Sequence, residues 1–189
     1  MGRIVVTEFV SLDGVMQAPG GPEDGFERSG WTFEIDGGED FGEYKLNETR
    51  NTAAMLLGRK TYDGFAASWP SVEGEFGDRF NALPKYVVSS TLQEPAWNNT
   101  TVLAGVDVAA EVTALRDRID GDIVVHGSAR LAQFLLANDL VDELRVMVFP
   151  VVLGLGKRLF ADEAPKQRMH LTDTKVIGDG IALLVYSAR

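Results

Sequence analysis

Four short segments carry residue types that can hold an anion or move a proton. In Leu57-Gly58-Arg59-Lys60-Thr61-Tyr62, a glycine precedes two cations and a hydroxyl, directly after an apolar run. Glycine lets a backbone approach a phosphate closely, and amides at a helix start favour anions. The segment suits a pyrophosphate or a ribose 2′-phosphate, although a solvated basic turn would carry the same residues. Val87-Val88-Ser89-Ser90-Thr91 ends another run on small hydroxyls, which can bond a phosphate. An NAD-preferring site would place an acid there for the ribose hydroxyls; a polar strand end without a ligand also fits. Val125-His126-Gly127-Ser128-Ala129-Arg130-Leu131 turns a third run into a helix, and Gly127 with the first helical amides forms a second anion cradle. Two cradles on neighbouring strands suit a dinucleotide diphosphate. Ser128 is expected to cap the helix, because a nucleophile elbow needs Gly-x-Ser-x-Gly and Ala129-Arg130 do not supply it. In Ser11-Leu12-Asp13-Gly14, the Asp-Gly pair favours a turn. Asp13 is either a turn residue or a carboxylate beside a reacting ring.

These segments need elements to position them. Runs 4–10, 53–57, 86–88, 123–125, 144–152 and 181–186 are almost continuously apolar and rich in β-branched residues. Strands covered on both faces read this way, whereas strands with one wet face alternate. Val108, Val112, Leu115 and Ile119 share one helical face that Asp107 can cap. Leu131, Phe134 and Leu135 form a second stripe ending near Asn138, and 41–51 is a third, weaker helix. Strands alternating with helices imply βαβ units and a mostly parallel sheet. Segments 171–177 and 181–187, separated by Gly178-Asp179-Gly180, predict a final antiparallel hairpin. The expectation is an α/β chain: one domain over 1–189, with a mixed sheet of about eight strands and helices on both faces. Segment 11–38, holding seven of the chain's 20 glycines, is either an active-site cover or a surface insertion.

Composition removes several classes. Without cysteine there is no disulfide, thiolate nucleophile, iron–sulfur cluster or cysteine-ligated zinc. A net charge of −10 opposes phosphate-backbone binding, so no nucleic-acid partner is expected. The longest apolar stretch, 146–156, contains Pro150 and falls short of the roughly 20 residues that span a bilayer. Thr7 and Glu8 arrive too early for a signal-peptide core. A soluble, cytoplasmic protein without a membrane partner is expected. His126 and His170, the only histidines, lack the spacing of a helical metal site, so no metal is expected. Gly154-Leu155-Gly156 is followed by Lys157-Arg158-Leu159, so the third glycine of a Rossmann fingerprint is missing, and there is no Walker lysine. Glu39-Asp40 and Asp142-Glu143 read as helix-start or surface charges.

Taken in order, Ser11-Leu12-Asp13-Gly14, Leu57 through Tyr62, Val88-Ser89-Ser90, His126-Gly127-Ser128, and Leu140 through Leu144 with Pro150, Gly154, Gly156 and Phe160 resemble one set. The sequence resembles the dihydrofolate-reductase-like superfamily. It is most like the reductase domain of the bifunctional riboflavin-biosynthesis deaminase–reductase and its stand-alone relatives. The resemblance implies NADPH as cofactor and hydride transfer to a pterin-like, pyrimidine-like or ribosylaminopyrimidine substrate. It implies that Gly58, Arg59, Lys60 and Thr61 hold the cofactor's phosphates, and that Ser89 and Ser90 contact the adenosine side. Gly127, Ser128, Ala129, Arg130 and Leu131 would line the diphosphate and nicotinamide, with Asp13 beside the nicotinamide and substrate. Dihydrofolate reductase uses an acid on its first helix; Glu43 is the nearest candidate by spacing and Asp40 another. The family's usual Gly-Gly pair is Gly127-Ser128 here, and its zinc deaminase needs Pro-Cys-x-x-Cys, which this chain lacks. A homodimer is also implied, for which the apolar 146–155 segment can supply an interface or simply a buried strand. Two alternatives remain: a non-catalytic protein that keeps the fold and binds NADP or a small ligand, and a hydrolase using Ser128.

Overall fold

The computed structural model describes residues 1–23 and 25–188. The apolar runs become strands of one eight-stranded sheet in the order β4-β3-β2-β5-β1-β6-β8-β7. In chain order the elements are β1 (Arg3–Ser11), α1 (Gly38–Asn51), β2 (Thr52–Gly58), α2 (Arg59–Ser68) and α3 (Glu75–Ala82). Then come β3 (Lys85–Val88), β4 (Thr100–Leu103), α4 (Val108–Arg118), β5 (Asp122–His126) and α5 (Ala129–Ala137). The chain ends with β6 (Glu143–Phe149), β7 (His170–Ile177) and β8 (Ile181–Ser187). Strands β1 to β6 pair parallel, and β8 joins β6 and β7 antiparallel, so the expected C-terminal hairpin is present.

Side-chain alternation divides the core. On β2, Ala54 and Leu56 join a cluster with Val112, Leu115 and Leu135 of α4 and α5. Met55 and Leu57 face the other way, onto Tyr62 of α2 and Phe80 of α3. Both faces of the sheet are therefore covered by helices there, which is why these strands are apolar throughout. Asp107 caps α4, accepting from the Ala110 amide at 2.9 Å. Run 144–152 is cut at Phe149, because Pro150 has no amide for the ladder. Helix α3 and edge strand β4 lie outside the expected runs. β4, Thr-Thr-Val-Leu, buries only Leu103 fully and so carries little apolar signal.

Segment 12–37 is packed onto the sheet. Trp31 is 1% exposed, meets Phe149 edge-on at 5.5 Å, and donates from Nε1 to the Gln17 carbonyl at 2.8 Å. Backbone bonds Leu12 N–H to Val151 O and Met16 N–H to Lys157 O, both within 2.9 Å, tie it to the segment after β6. Among the described residues, no helix is long and apolar enough to cross a membrane.

Candidate active site at the carboxyl edge of the sheet

The sheet opens beside β1. This strand pairs with β5 only from Arg3↔Asp122 to Thr7↔His126, while it pairs with β6 as far as Ser11↔Phe149. Residues 8–11 of β1 thus outrun β5, which turns away into α5. A switch point of this kind is where open α/β sheets bind ligands.

Two strand-end turns meet at that opening and lock together. The Gly58 amide donates to Ser128 Oγ and the Ser128 amide to Thr61 Oγ1, both at 2.9 Å; Ser128 Oγ donates to the His126 carbonyl at 3.1 Å. Gly127 has φ +55°, and a Cβ there would sit 3.0 Å from Thr61 Oγ1, so conformation and space both favour glycine. Ser128 also adopts the left-handed conformation, at φ +61°. The expected helix cap is not made: Ser128 sits at the N-cap of α5, but its hydroxyl bridges the two turns instead. No side chain therefore occupies the first amides of α5, at Ala129 and Arg130, and α2 also starts without a side-chain cap.

Residues 3–183 match the RibD C-terminal domain. The chain belongs to that family. Protein YyaP of Bacillus subtilis (strain 168) is 29% identical over 97% of this chain and 94% of its own. A putative riboflavin biosynthesis protein from Shewanella sp. PV-4 superposes with TM-score 0.75 over 98% of both chains, at 20% identity. Dihydrofolate reductase from Enterococcus faecalis, solved with NADP(H), superposes with TM-score 0.59 at 14% identity, over 98% of this chain and 95% of its own. The dihydrofolate-reductase-like mixed sheet is the shared feature.

Within this RibD-type domain the expected cofactor residues gather unequally. Arg59 joins two of the segments: Nε reaches the Asp63 carboxylate at 2.8 Å and Nη1 the Thr91 hydroxyl at 3.3 Å. Lys60 pairs with Glu23 at 2.5 Å, Lys157 reaches the same carboxylate at 3.3 Å, and so segment 12–37 is held against the β2–α2 turn. Ser89 is buried, its Oγ taking the amides of Thr91 and Leu92, whereas Ser90 is exposed. Leu131 packs into the core, and Arg130 lines a groove between α5 and β6 that also takes in Val10, Ser11 and Leu12 at the end of β1. Gly58, Arg59, Thr61, Gly127, Ser128 and Ala129 remain around the opening. A dinucleotide diphosphate fits this chemistry, because uncapped amides and a glycine-containing turn are what an anion requires.

Neither expected acid is placed to give up a proton. Asp13 is tied to the segment after β6, accepting from Ser11 Oγ at 2.6 Å and from the Leu153 and Gly154 amides at 3.0 and 2.8 Å. The Ser11 hydroxyl first, then these amides, hold its carboxyl at about 2, so it is a fixed anion at neutral pH. Glu43 is exposed on the outer face of α1, as is Asp40. The inner face of α1 carries Lys45, Glu48 and Thr49 instead.

These residues belong to a buried ionic cluster absent from the expectation. Lys45 pairs with Glu48 and lies 5.3 Å from the Phe9 ring centroid. Arg145 reaches Glu48 at 3.3 Å, Asp122 at 3.2 Å and Glu143 at 2.6 Å. Burial pushes the Glu48 carboxyl up, but Lys45 first, then Arg145, outweigh it and hold the group at about 2. Burial, then Lys45, drives His126 down to about 3, so its ring is neutral. Glu8 lies beside them on β1, 3% exposed, and burial raises its carboxyl well above the ordinary range. The signal in the sequence is a lone carboxylate interrupting the run 4–10.

Proposed function

We propose that the chain is an NADPH-dependent reductase. It would deliver hydride to a C=N or C=O carbon of a pterin-like, pyrimidine-like or ribosylaminopyrimidine substrate. The observation that carries this is the interlock of the β2–α2 and β5–α5 turns, with uncapped α5 amides, beside the point where β1 and β5 part. Membership of the RibD C-terminal domain family and the fold shared with an NADP(H)-bound dihydrofolate reductase support it. Gly58, Arg59, Thr61, Gly127, Ser128 and Ala129 would hold the phosphates, and Lys60 and Ser90 would border them. When bound, the cofactor supplies hydride; the protein supplies orientation, charge and exclusion of water.

Calorimetry with NADPH and NADH tests this first. NADPH should bind, and Arg59→Ala should weaken it about 10- to 100-fold while changing NADH far less, the loss expected for one charge-assisted phosphate contact. NADPH oxidation against a panel of pterins, pyrimidines and ribosylaminopyrimidines then tests turnover. No heat with either nucleotide ends the proposal. The rival, a binding protein without catalysis, gains from the positions of Asp13 and Glu43; NADPH binding with no acceptor reduced would establish it. Homodimerisation is part of the same reading. A groove of about 920 Å³ lined by Phe134, Val146, Val148, Leu184 and Tyr186 offers the apolar face. Sedimentation at 20.6 kDa alone would exclude the dimer.

A further inference from the structure

The Glu8 carboxyl has no structural task that accounts for it. β1 and β5 pair through Thr7↔His126 and then separate, so the next residue on one side is Glu8 and on the other Gly127. These two stand where the strands part. Glu8 is 3% exposed, and its Oε1, with no measurable solvent contact, finds no hydrogen-bond partner among the described residues. A buried polar atom left so costs free energy, and native chains retain such a cost mainly at functional sites.

The charged groups that act on Glu8 are Lys45 and Glu48, and they and the ionic groups along the neighbouring strands are partnered elsewhere or uncharged. From α1, Lys45 is paired with Glu48 and reaches Thr7 Oγ1 at 3.5 Å. From β6, Arg145 is shared among Glu48, Glu143 and Asp122. From β5, His126 is uncharged. The Gly127 amide at the turn into α5 favours the charged carboxyl, and the Glu48 carboxylate opposes it. Burial outweighs Lys45 and this amide and raises the Glu8 carboxyl well above its ordinary value, while the same two groups would stabilise its anion once formed.

We propose that Glu8 is the proton donor of the reductase, a catalytic acid where β1 and β5 part. The inference rests on the reductase reading and names its missing acid. As hydride reaches the acceptor carbon, the π bond of its C=N or C=O breaks and the electron pair moves to nitrogen or oxygen. That atom takes the proton of Glu8, whose O–H bond breaks to leave a carboxylate beside the Gly127 amide and Lys45. Both electrons come from NADPH, and water returns the proton to Glu8 after product leaves.

Infrared difference spectroscopy on the full chain tests this without turnover. At neutral pH the protein should show the carbonyl band of an un-ionised carboxyl that shifts in heavy water and with ¹³C-labelled glutamate. The band should vanish in Glu8→Gln and shift when NADPH is added. Its absence, its survival in Glu8→Gln, or its indifference to bound NADPH overturns the assignment. Should Glu8→Gln not fold, Glu8→Asp serves instead, since the band must then lose its glutamate label. NADPH binding followed by fluorescence separates the two claims: binding without the band removes Glu8 alone, and no binding removes the reductase with it. With any acceptor that turns over, Glu8→Gln should lower kcat about 100- to 10,000-fold while KM stays within about threefold. Wild-type kcat in that variant overturns the role.

Discussion

Glu8 and Asp13 stand five residues apart, one inside β1 and the other in the turn that β1 feeds, and their surroundings push the two carboxyls in opposite directions. Asp13 receives a hydroxyl and two backbone amides, with the Arg158 guanidinium 4.0 Å away, and is held at about 2. Glu8 has the Gly127 amide and an unpartnered oxygen, and burial raises it. The number of donors decides the outcome. A turn exposes backbone amides that a carboxylate can gather, whereas a strand interior has already spent its amides on the ladder. Asp13 therefore works as a staple, fastening the start of segment 12–37 to residues 153–154, and Glu8 is left the weaker acid of the two.

The largest expected effect breaks the staple. Asp13→Asn offers one acceptor and sets its amide against the second backbone N–H, so it should cost about 3 kcal/mol. For a chain of this size that is a fall of roughly 10 °C in thermal midpoint. The sign with pH follows from the lowered group. A carboxyl whose folded pKa lies below its unfolded value of 3.8 stabilises above that value and loses the contribution as pH falls towards about 2. Urea denaturation of wild type and Asp13→Asn should differ at pH 7 and converge near pH 2. A gap that persists unchanged in acid would show that the ionised carboxylate is not what fastens the turn.

A smaller effect is expected one step back along the network. Ser11 Oγ donates to Asp13 and accepts from the Val15 amide at 2.9 Å. Ser11→Ala should cost about 1 kcal/mol. It should also raise the Asp13 carboxyl towards 3.8, since the Ser11 hydroxyl is the leading cause of its depression. Carbon-detected NMR titration of Asp13 reads the shift directly; an unmoved titration would transfer the leading part to the backbone amides.

Much of the positioning was legible and the acids were not, for a physical reason. Solid apolar runs such as 53–57 and 123–125 state that a strand is covered twice, and the glycine and hydroxyl turns following them reach the opening together. Helix α1 defeats the same logic, because its inward positions, Lys45, Glu48 and Thr49, are polar, so hydrophobic periodicity assigns them to the outside. Spacing then favoured Glu43, which is exposed. Ser128 looked like an ordinary cap because its left-handed backbone, which frees the hydroxyl to bridge Gly58 and His126, leaves no trace in residue type. Asp13 carried both of its readings in the same Asp-Gly pair. Only the positions of Leu153 and Gly154, 140 residues away, separate them.

The smallest effect sharpens the contrast most. If Glu8 is neutral in the folded chain, Glu8→Gln removes no charge and should change stability by only about 1 kcal/mol or less at pH 5. The variant and wild type should then diverge as pH rises. Above about 4.5 the unfolded wild-type chain releases the Glu8 proton that the folded chain retains, so wild-type stability declines with pH until the raised folded value is reached. Glutamine has no proton to release, and its relative stability should climb between pH 5 and pH 8. Urea midpoints at the two pH values measure this. A constant deficit of about 2 kcal/mol across that range would mean that Glu8 is an ion tied to Lys45. It would then be a second staple like Asp13, and the two carboxyls would differ only in which segment they fasten.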